Sequence, residues 1–260
     1  MNMSAAAYEN STRFTGLAGM YDRFRPGYPD ACLQWLADRA GLTGSAVVAD
    51  MGAGTGKLSE ELVLTGLRTV AVEPNPDMYS VLQRKSEMTS LLTTVQATAE
   101  DTRLEDSSIT LVTAGQSFHW FDPEAFREEC ARILQPGGKV ALLWNSRRRE
   151  TALVQANAAV FERHVPYFPG FSGDHRVSAD DFADFFRPAG YEYREFEHDQ
   201  MLTWDEFLGR NLSATYAPRE GDASYQPVVE ELRALFEEHR ESDLIRFPLV
   251  TRVFVGGVQG

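Results

Sequence analysis

Asp50-Met51-Gly52-Ala53-Gly54-Thr55-Gly56 is a run with glycine at every second position from residue 52 onward. It follows the apolar segment Ala46–Asp50, which is typical of a strand buried on both faces, and it precedes the helix-like segment Lys57–Leu64. Glycines at this spacing allow a sharp turn and let a ligand approach the backbone closely. The sequence therefore predicts a strand, a ligand-binding loop and a helix in succession.

Strand-like and helix-like segments alternate after this loop. The predicted strands are Thr69–Glu73, Leu91–Thr98, Ser108–Thr113 and Lys139–Trp144, and the predicted helices are Pro76–Ser86 and Pro123–Leu134. Asn75 and Asp122 each precede a proline and are suited to cap the two helices. The order favours an α/β fold with a doubly wound, mostly parallel sheet.

The chain after Asn145 is richer in helices and aromatic residues. The predicted helices are Thr151–His164, Ala179–Phe186, Trp204–Asn211 and Pro227–Arg240, and the predicted strands are Tyr191–Leu202 and Arg246–Val255. We expect the two late strands to complete a seven-stranded sheet and the helices to form a lid. The expected divisions are an N-terminal cap segment (1–30), a cofactor-binding core (31–145) and a lid with the last two strands (146–260).

Composition narrows the function. The net charge of −13 argues against a nucleic-acid partner, because such binding relies on lysine and arginine. No apolar run has the length of a membrane span, and residues 1–10 lack the pattern of a signal peptide. Histidines and the two cysteines show no metal-ligand or disulfide spacing. We expect a cytoplasmic protein without a metal or a membrane partner.

Two common glycine-loop families differ from this chain at one or two positions of their motifs. The nicotinamide fingerprint G-x-G-x-x-G requires a third glycine where this chain has Lys57. The phosphate-binding P-loop requires glycine at the position of Met51 and serine or threonine at the position of Leu58. Both classes are therefore disfavoured. Glu73, at the end of the second predicted strand, stands where a carboxylate can accept ribose hydroxyls.

Four segments together resemble the class I S-adenosylmethionine-dependent methyltransferases, which have a Rossmann-like sheet. They are Val48–Gly56 (motif I), Ala71–Asn75 (ribose motif), Ala97–Asp101 (adenine loop) and Arg132–Gly138 (the turn before the fifth strand). Further segments resemble the trans-aconitate methyltransferase-like subgroup, namely Tyr21–Pro29, Gln116–Asp122, Leu202–Trp204 and Arg210–Tyr216. Thr98 departs from the family pattern, because many relatives have aspartate there.

The resemblance implies a cofactor site for S-adenosylmethionine, whose product is S-adenosylhomocysteine. Its residues would be Arg25, Tyr28, Asp50, Gly52, Ala53, Gly54, Gly56, Glu73, Pro74, Met78, Ala99, Glu100 and Gln116. Asp50 and the glycines would hold the methionine end, and Glu73 would bind the ribose. Met78 covers an adenine face or belongs to the core, and Arg25 closes over the cofactor or lies on the surface; both alternatives stay open.

The substrate would be a small molecule methylated on oxygen or nitrogen. Its contacts would come from His119, Trp120, Asn145, Arg210, Ser213 and Tyr216. His119 follows the fourth strand and is the candidate catalytic base, with a substrate-orienting contact and a structural role as alternatives. Arg147–Arg149 and Arg210 raise the option of an anionic substrate. We expect a monomer or homodimer; a non-methylating protein on the same scaffold is the main alternative function.

Overall fold

One seven-stranded sheet organises residues 16, 18–171 and 179–259, which the computed structural model describes. The strands are β1 Val47–Met51, β2 Arg68–Val72, β3 Leu92–Val95, β4 Ile109–Gly115, β5 Leu134–Arg147, β6 Tyr191–Glu197, β7 Gln200–Leu202, β8 Ile245–Phe247 and β9 Leu249–Gly256. The helices are α1 Ala18–Phe24, α2 Asp30–Ala40, α3 Lys57–Leu64, α4 Pro76–Ser86, α5 Pro123–Ile133, α6 Ala152–His164, α7 Ala179–Phe185, α8 Trp204–Leu212 and α9 Tyr225–His239, with a 3₁₀ helix at Phe118–Trp120.

The strand order is β3-β2-β1-β4-β5-β9-β6. Strands β1 to β5 are parallel, whereas β9 runs antiparallel to both β5 and β6. The expected doubly wound, mostly parallel seven-stranded sheet is thus confirmed. The chain reverses its direction across the sheet between β1 and β4, and ligands bind at such switch points in open α/β sheets.

Both faces of the sheet are covered by helices, which explains why the strands are continuous apolar runs. On one face, Leu142 of β5 belongs to a buried cluster with Phe126 of α5. On the other face, the next residue, Leu143, belongs to a buried cluster with Leu36 of α2. The predicted caps also form, because Asn75 and Asp122 accept backbone hydrogen bonds at the starts of α4 and α5.

The prediction of one strand over Tyr191–Leu202 and one over Arg246–Val255 was wrong, because each segment divides into two strands. β7 and β8 leave the main sheet and form a separate antiparallel pair. Pro248 lies between β8 and β9 and has no N–H to donate to a strand. The Asp199 carboxylate lies at the same break, where it accepts hydrogen bonds from Leu249 N at 3.1 Å and Arg246 Nε at 2.8 Å.

Other boundaries also differ from the sequence expectations. The helices α1 and α2 were not predicted, although residues 32, 33, 35 and 36 of α2 are buried at helical spacing. β5 begins at Leu134 instead of Lys139, because Leu134 pairs with Ile109 before an irregularity in the register. Within the described residues, no helix combines the length and apolar character that crossing a bilayer requires.

The lid has its own apolar core. It contains Phe161 of α6, Phe207 of α8, Leu232 of α9 and Phe247 of β8. α1 packs against α8, where a Cβ added to Gly209 would lie 2.5 Å from the Phe24 ring. The division into residues 1–30, 31–145 and 146–260 stays a prediction, and residues 1–15, 17, 172–178 and 260 lie outside the described part.

We expect Gly256→Ala to destabilise the sheet. A Cβ at Gly256 would lie 2.4 Å from the Gly190 carbonyl oxygen and 2.6 Å from Phe186 Cδ1. Overpacking of this kind costs about 1–3 kcal/mol in the free energy of unfolding. Urea denaturation measures the change. Gly257→Ala is the matched control, because its nearest neighbour would be Ala189 Cβ at 3.7 Å. Equal midpoints for the two variants would contradict the close packing at β9.

Candidate functional site

Two adjoining cavities lie at the carboxyl ends of β1 and β4. One, here called the glutamate cavity, includes Glu73 and Met78, and the other, called the arginine cavity, includes Arg25 and Arg210. The residues that line both are Tyr21, Gly52, Gly54, Gly115, Gln116 and Trp120. Because the two cavities share this wall, one elongated ligand can extend from the first into the second.

The glycine loop forms part of the shared wall. Gly52, Gly54 and Gly56 have φ values of 60°, 59° and 89°, a left-handed backbone that favours glycine. A Cβ on Gly52 would lie 2.7 Å from Ser117 Cβ, so this position must also stay small. Gly56 lies behind the wall, where a Cβ would meet Leu82 Cδ1 at 2.7 Å. Gly56 is therefore needed for the packing of the loop, and it lines neither cavity.

Glu73 lines the glutamate cavity and is only 6% exposed. Its carboxylate accepts hydrogen bonds from Gly54 N at 2.7 Å and from Asn75 N at 2.8 Å. Burial raises the pKa of Glu73 to about 7, although the two backbone donors oppose this shift. A carboxylate has about four acceptor sites, so both oxygens can accept further hydrogen bonds from a ligand.

The rest of the glutamate cavity is mostly small or apolar. Its remaining residues are Pro74, Asn75, Met78, Thr98, Ala99, Glu100, Ser117 and Phe121. The Glu100 carboxylate accepts a hydrogen bond from Asp122 N at 3.0 Å, which ties the cavity to the start of α5. Behind it, Thr102 N donates to Glu129 Oε1 at 2.8 Å. These bonds hold the loop of residues 97–102 against α5.

The arginine cavity contains a buried acidic and phenolic pair next to the glycine loop. Asp50 is 1% exposed and accepts hydrogen bonds from Ser59 Oγ at 2.6 Å and Thr113 Oγ1 at 3.1 Å. Burial raises the pKa of Asp50 to about 6, and burial also raises the pKa of Tyr28 well above its ordinary value. Both side chains are thus held away from water beside the loop.

Four arginines line the same cavity, namely Arg25, Arg147, Arg149 and Arg210. Arg210 of α8 is 3% exposed, and burial, followed by repulsion from Arg147 and Arg25, lowers its pKa well below the usual range. Arg25 donates to the Ser213 carbonyl at 3.4 Å, so Ser213 acts from behind the cavity wall. The Arg147 guanidinium lies 3.9 Å from the centre of the Phe171 ring.

Asn145 and Gln116 connect the cavity to the end of the sheet. Asn145 Oδ1 accepts from Thr251 Oγ1 at 2.6 Å, and Asn145 Nδ2 donates to the Gly27 carbonyl at 2.9 Å. Gln116 Nε2 donates to the Asn145 carbonyl at 3.0 Å. Gln116 has a φ of 62°, a strained conformation for a residue with a side chain, and such strain is concentrated at functional sites.

His119 and Trp120 belong to the 3₁₀ helix after β4, and both line the arginine cavity. Their ring centres are 4.6 Å apart. His119 is partly exposed, and its position beside Asn145 and Arg210 permits contact with a small ligand in the cavity. The geometry is compatible with both a proton-accepting and an orienting role.

The structure brings most of the predicted site residues together. The glutamate cavity gathers Glu73, Pro74, Met78, Ala99 and Glu100, and the arginine cavity gathers Arg25, Tyr28, Asp50, Ala53, His119, Asn145, Arg210 and Tyr216. Gly52, Gly54, Gln116 and Trp120 lie on the shared wall, whereas Gly56 and Ser213 lie behind it. Sequence reasoning also named Phe171 as a possible cavity wall, and it lines the arginine cavity. It missed Tyr21 and Thr215; Tyr21 could have been found in the N-terminal segment that carried the family resemblance.

Comparison with known proteins agrees with this geometry. The profile of a family described as "Methyltransferase domain" matches residues 49–142. An uncharacterized methyltransferase of Mycobacterium tuberculosis is 38% identical over 161 residues, which are 62% of this chain and 63% of that protein. The match therefore spans less than two thirds of that relative's length.

Two solved structures show the same fold. A candidate type II methyltransferase from Anaeromyxobacter dehalogenans superposes with a TM-score of 0.68 at 24% identity, covering 91% of this chain and 99% of that one. Phosphoethanolamine N-methyltransferase 2 of Haemonchus contortus, solved with phosphomonomethylethanolamine and S-adenosylhomocysteine, gives a TM-score of 0.58 at 15% identity, covering 100% of this chain and 61% of that one.

The matched range includes the glycine loop, Glu73 and most of the shared wall. S-Adenosylmethionine, the cofactor that the motifs implied, is the cofactor of this family of enzymes. Residues 49–142 therefore carry a methyltransferase domain, and the described chain has the sheet topology and fold seen in solved methyltransferases.

Proposed function

We propose that the protein transfers a methyl group from S-adenosylmethionine to an oxygen or nitrogen atom of a small molecule. The supporting observation is the wall that the two cavities share at Gly52, Gly54, Gln116 and Trp120. In this proposal the glutamate cavity holds the adenosine, and the arginine cavity holds the methionine end of the cofactor together with the substrate. The reacting methyl then lies at the shared wall, where both ligands meet.

The residues of the glutamate cavity fit an adenosine. Glu73 presents a buried carboxylate for the two ribose hydroxyls, and Met78 and Ala99 are apolar and 3% exposed, as a stacked adenine requires. Gly52 lines this cavity without a side chain, and a Cβ there would lie 2.7 Å from Ser117 Cβ. Thr98 supplies no carboxylate for the adenine amino group, so that contact falls to the backbone of Ala99 and Glu100.

Tyr28 and Asp50 lie on the other side of the wall, next to Ala53 and Gly54. They are placed to position the methionine end of the cofactor together with Arg25. S-Adenosylmethionine supplies an electrophilic methyl whose C–S bond electrons stay on sulfur, so the departing thioether needs no acid. The chain therefore has to align the nucleophile with the methyl and to exclude water.

His119 is our candidate for the group that receives a proton from the substrate. A carboxylate acceptor is already ionised near neutral pH and needs no base, whereas a phenol or an ammonium must lose a proton. Trp120 and Asn145 orient the acceptor in this proposal. The Asn145 side chain is held in place by its hydrogen bonds with Thr251 and Gly27. The assignment of His119 is a proposal based on its place in the cavity.

We include in this proposal four further properties that the sequence led us to expect. They are the likeness to the trans-aconitate methyltransferase subgroup, a role in small-molecule or natural-product metabolism, a cytoplasmic location and a monomeric or homodimeric state. A non-methylating protein on this scaffold would bind the cofactor without producing S-adenosylhomocysteine. Release of S-adenosylhomocysteine with a panel of carboxylic acids, phenols and amines separates the two functions.

Glu73→Gln should weaken cofactor binding about 10- to 100-fold, because hydrogen bonds to a charged acceptor are worth about 1.5–3 kcal/mol. Isothermal titration calorimetry with S-adenosylmethionine and S-adenosylhomocysteine measures the change. Glu105→Gln, at an exposed loop position, is the control and should bind like wild type. A wild-type protein that binds neither compound would refute the proposed function.

Cofactor affinity should rise with pH up to about 7 and then level off. The folded pKa of Glu73 is about 7, so the carboxyl is largely protonated at pH 6, and ribose hydroxyls favour the ionised form. Binding near pH 6 then releases a proton, and the affinity at pH 6 is about tenfold below that at pH 8. Calorimetry in buffers of different ionisation enthalpy measures the proton release. An unchanged proton release in Glu73→Gln would contradict this assignment.

His119→Asn should lower kcat about 10²- to 10⁴-fold for an acceptor that must lose a proton. Carboxylate acceptors should keep their kcat, because they need no base. Steady-state kinetics with both acceptor types measures the difference, and His239→Asn on α9 is the control. An increase in KM alone, equal for both acceptor types, would show an orienting role for His119 instead.

A further inference from the structure

Arg210 is buried, and the described part of the folded chain does not compensate the positive charge of its guanidinium group. The residue is 3% exposed, and its Nε and Nη1 atoms have no hydrogen-bond partner among the residues that the structure describes. A guanidinium keeps its proton in proteins, so the positive charge is retained. Burying such a charge without an anion is strongly unfavourable. The position therefore requires a compensating ligand or a structural reason.

The charges around Arg210 have the wrong sign to compensate it. Arg147 and Arg25 are the guanidinium groups that act on it, and both repel it. Asp50 is a carboxylate of the same cavity, but it accepts its hydrogen bonds from Ser59 and Thr113, and it forms no ion pair with Arg210 in the described part of the chain. The cavity thus concentrates positive charge in a chain whose net charge is −13.

The packing of the lid holds these arginines in place. Gly209 precedes Arg210, and Phe24 precedes Arg25, and a Cβ on Gly209 would lie only 2.5 Å from the Phe24 ring. This close approach of α1 and α8 brings the two guanidiniums to the same cavity. The Arg147 guanidinium lies 3.9 Å from the Phe171 ring centre, which orients it as a planar donor.

The remaining wall is suited to an organic molecule with one polar end. Tyr216 lines the cavity, and its hydroxyl is buried without a hydrogen-bond partner in the described part of the chain. Tyr216 also packs at 5.0 Å from Phe168 and 5.4 Å from Phe161, within the aromatic core of the lid. A buried donor beside aromatic rings can satisfy an anion while the rings cover carbon atoms.

We propose that the substrate carries an oxyanion, a carboxylate or a phosphate, that binds in the arginine cavity to Arg210, assisted by Arg25 and Arg147. This proposal rests on the proposed methyltransferase function, because it names the substrate class of the same site. Guanidinium donors match the geometry of both oxyanions, so the chemistry is shared. The bound anion supplies the negative charge that the fold leaves out around Arg210.

The first experiment uses the wild-type protein saturated with S-adenosylhomocysteine. Its thermal midpoint is measured with succinate, inorganic phosphate and phosphoethanolamine, and with neutral succinamide as the control. We expect at least one anion to raise the midpoint and succinamide to leave it unchanged, because a ligand that binds only the folded state stabilises it. The probe with the larger effect distinguishes a carboxylate from a phosphate site. No response to any of the anions would overturn the proposal.

The second experiment compares Arg210→Met with Arg233→Met. Arg233 lies on α9, is 50% exposed in its side chain and pairs with Glu237, so it is a matched arginine of the lid outside the cavity. We expect Arg210→Met to bind the effective anion about 10- to 100-fold more weakly. Its midpoint without ligand should equal or exceed that of wild type, because a buried unpaired charge is removed.

Two results would refute the role of Arg210. One is an anion response equal to that of wild type in a folded Arg210→Met protein; the other is equal anion weakening in Arg233→Met. If Arg210→Met fails to fold, Arg210→Lys gives the comparison instead, because it keeps the positive charge and loses the planar set of donors, and it should also bind the anion more weakly. Calorimetry with S-adenosylhomocysteine is run on every variant. If the wild-type protein bound the cofactor but methylated only neutral acceptors, the oxyanion proposal would be wrong and the proposed function would still stand.

Discussion

The hydrogen bond from Gly54 N to the Glu73 carboxylate, 2.7 Å long, joins the loop after β1 to the end of β2. It forms because Met51 pairs with Val72 in parallel register, so the residues that follow both strands emerge side by side. Ala53 N also donates to the Val72 carbonyl at 3.0 Å, which holds the start of the loop against β2. Both cavities have the glycine loop as a wall, so their shape depends on the bond between Gly54 and Glu73.

The unfavourable burial of charge is concentrated at this one edge of the sheet. Asp50, Glu73 and Arg210 are each at most 6% exposed, and burial shifts the pKa of all three toward the neutral form. The sheet interior behind them is apolar, as in β5, where Leu142 and Leu143 are fully buried. Keeping these groups away from water lowers the stability of the protein. Groups that are destabilised in this way are concentrated at functional sites.

Ion pairs hold helix α1 against this edge of the sheet. Lys85 of α4 bridges Asp22 of α1 at 2.5 Å and Glu60 of α3 at 2.7 Å, and its side chain is only 16% exposed. Tyr21, one residue earlier, lines both cavities. The cap segment thus contributes to the walls of both cavities and joins the core to the lid.

The sequence by itself determined the core of the fold and indicated most residues that line the glutamate cavity. These are local features, because each depends on residues that are close together in the sequence. They include the Gly52–Gly56 loop, the acid Glu73 and the caps Asn75 and Asp122. Tertiary structure alone decided the division of each late segment into two strands, the places of Gly56 and Ser213 behind the cavity walls, and the meeting of Arg25 with Arg210. Those outcomes depend on contacts between segments far apart in the chain, such as Phe24 against Gly209, which periodicity and spacing do not encode.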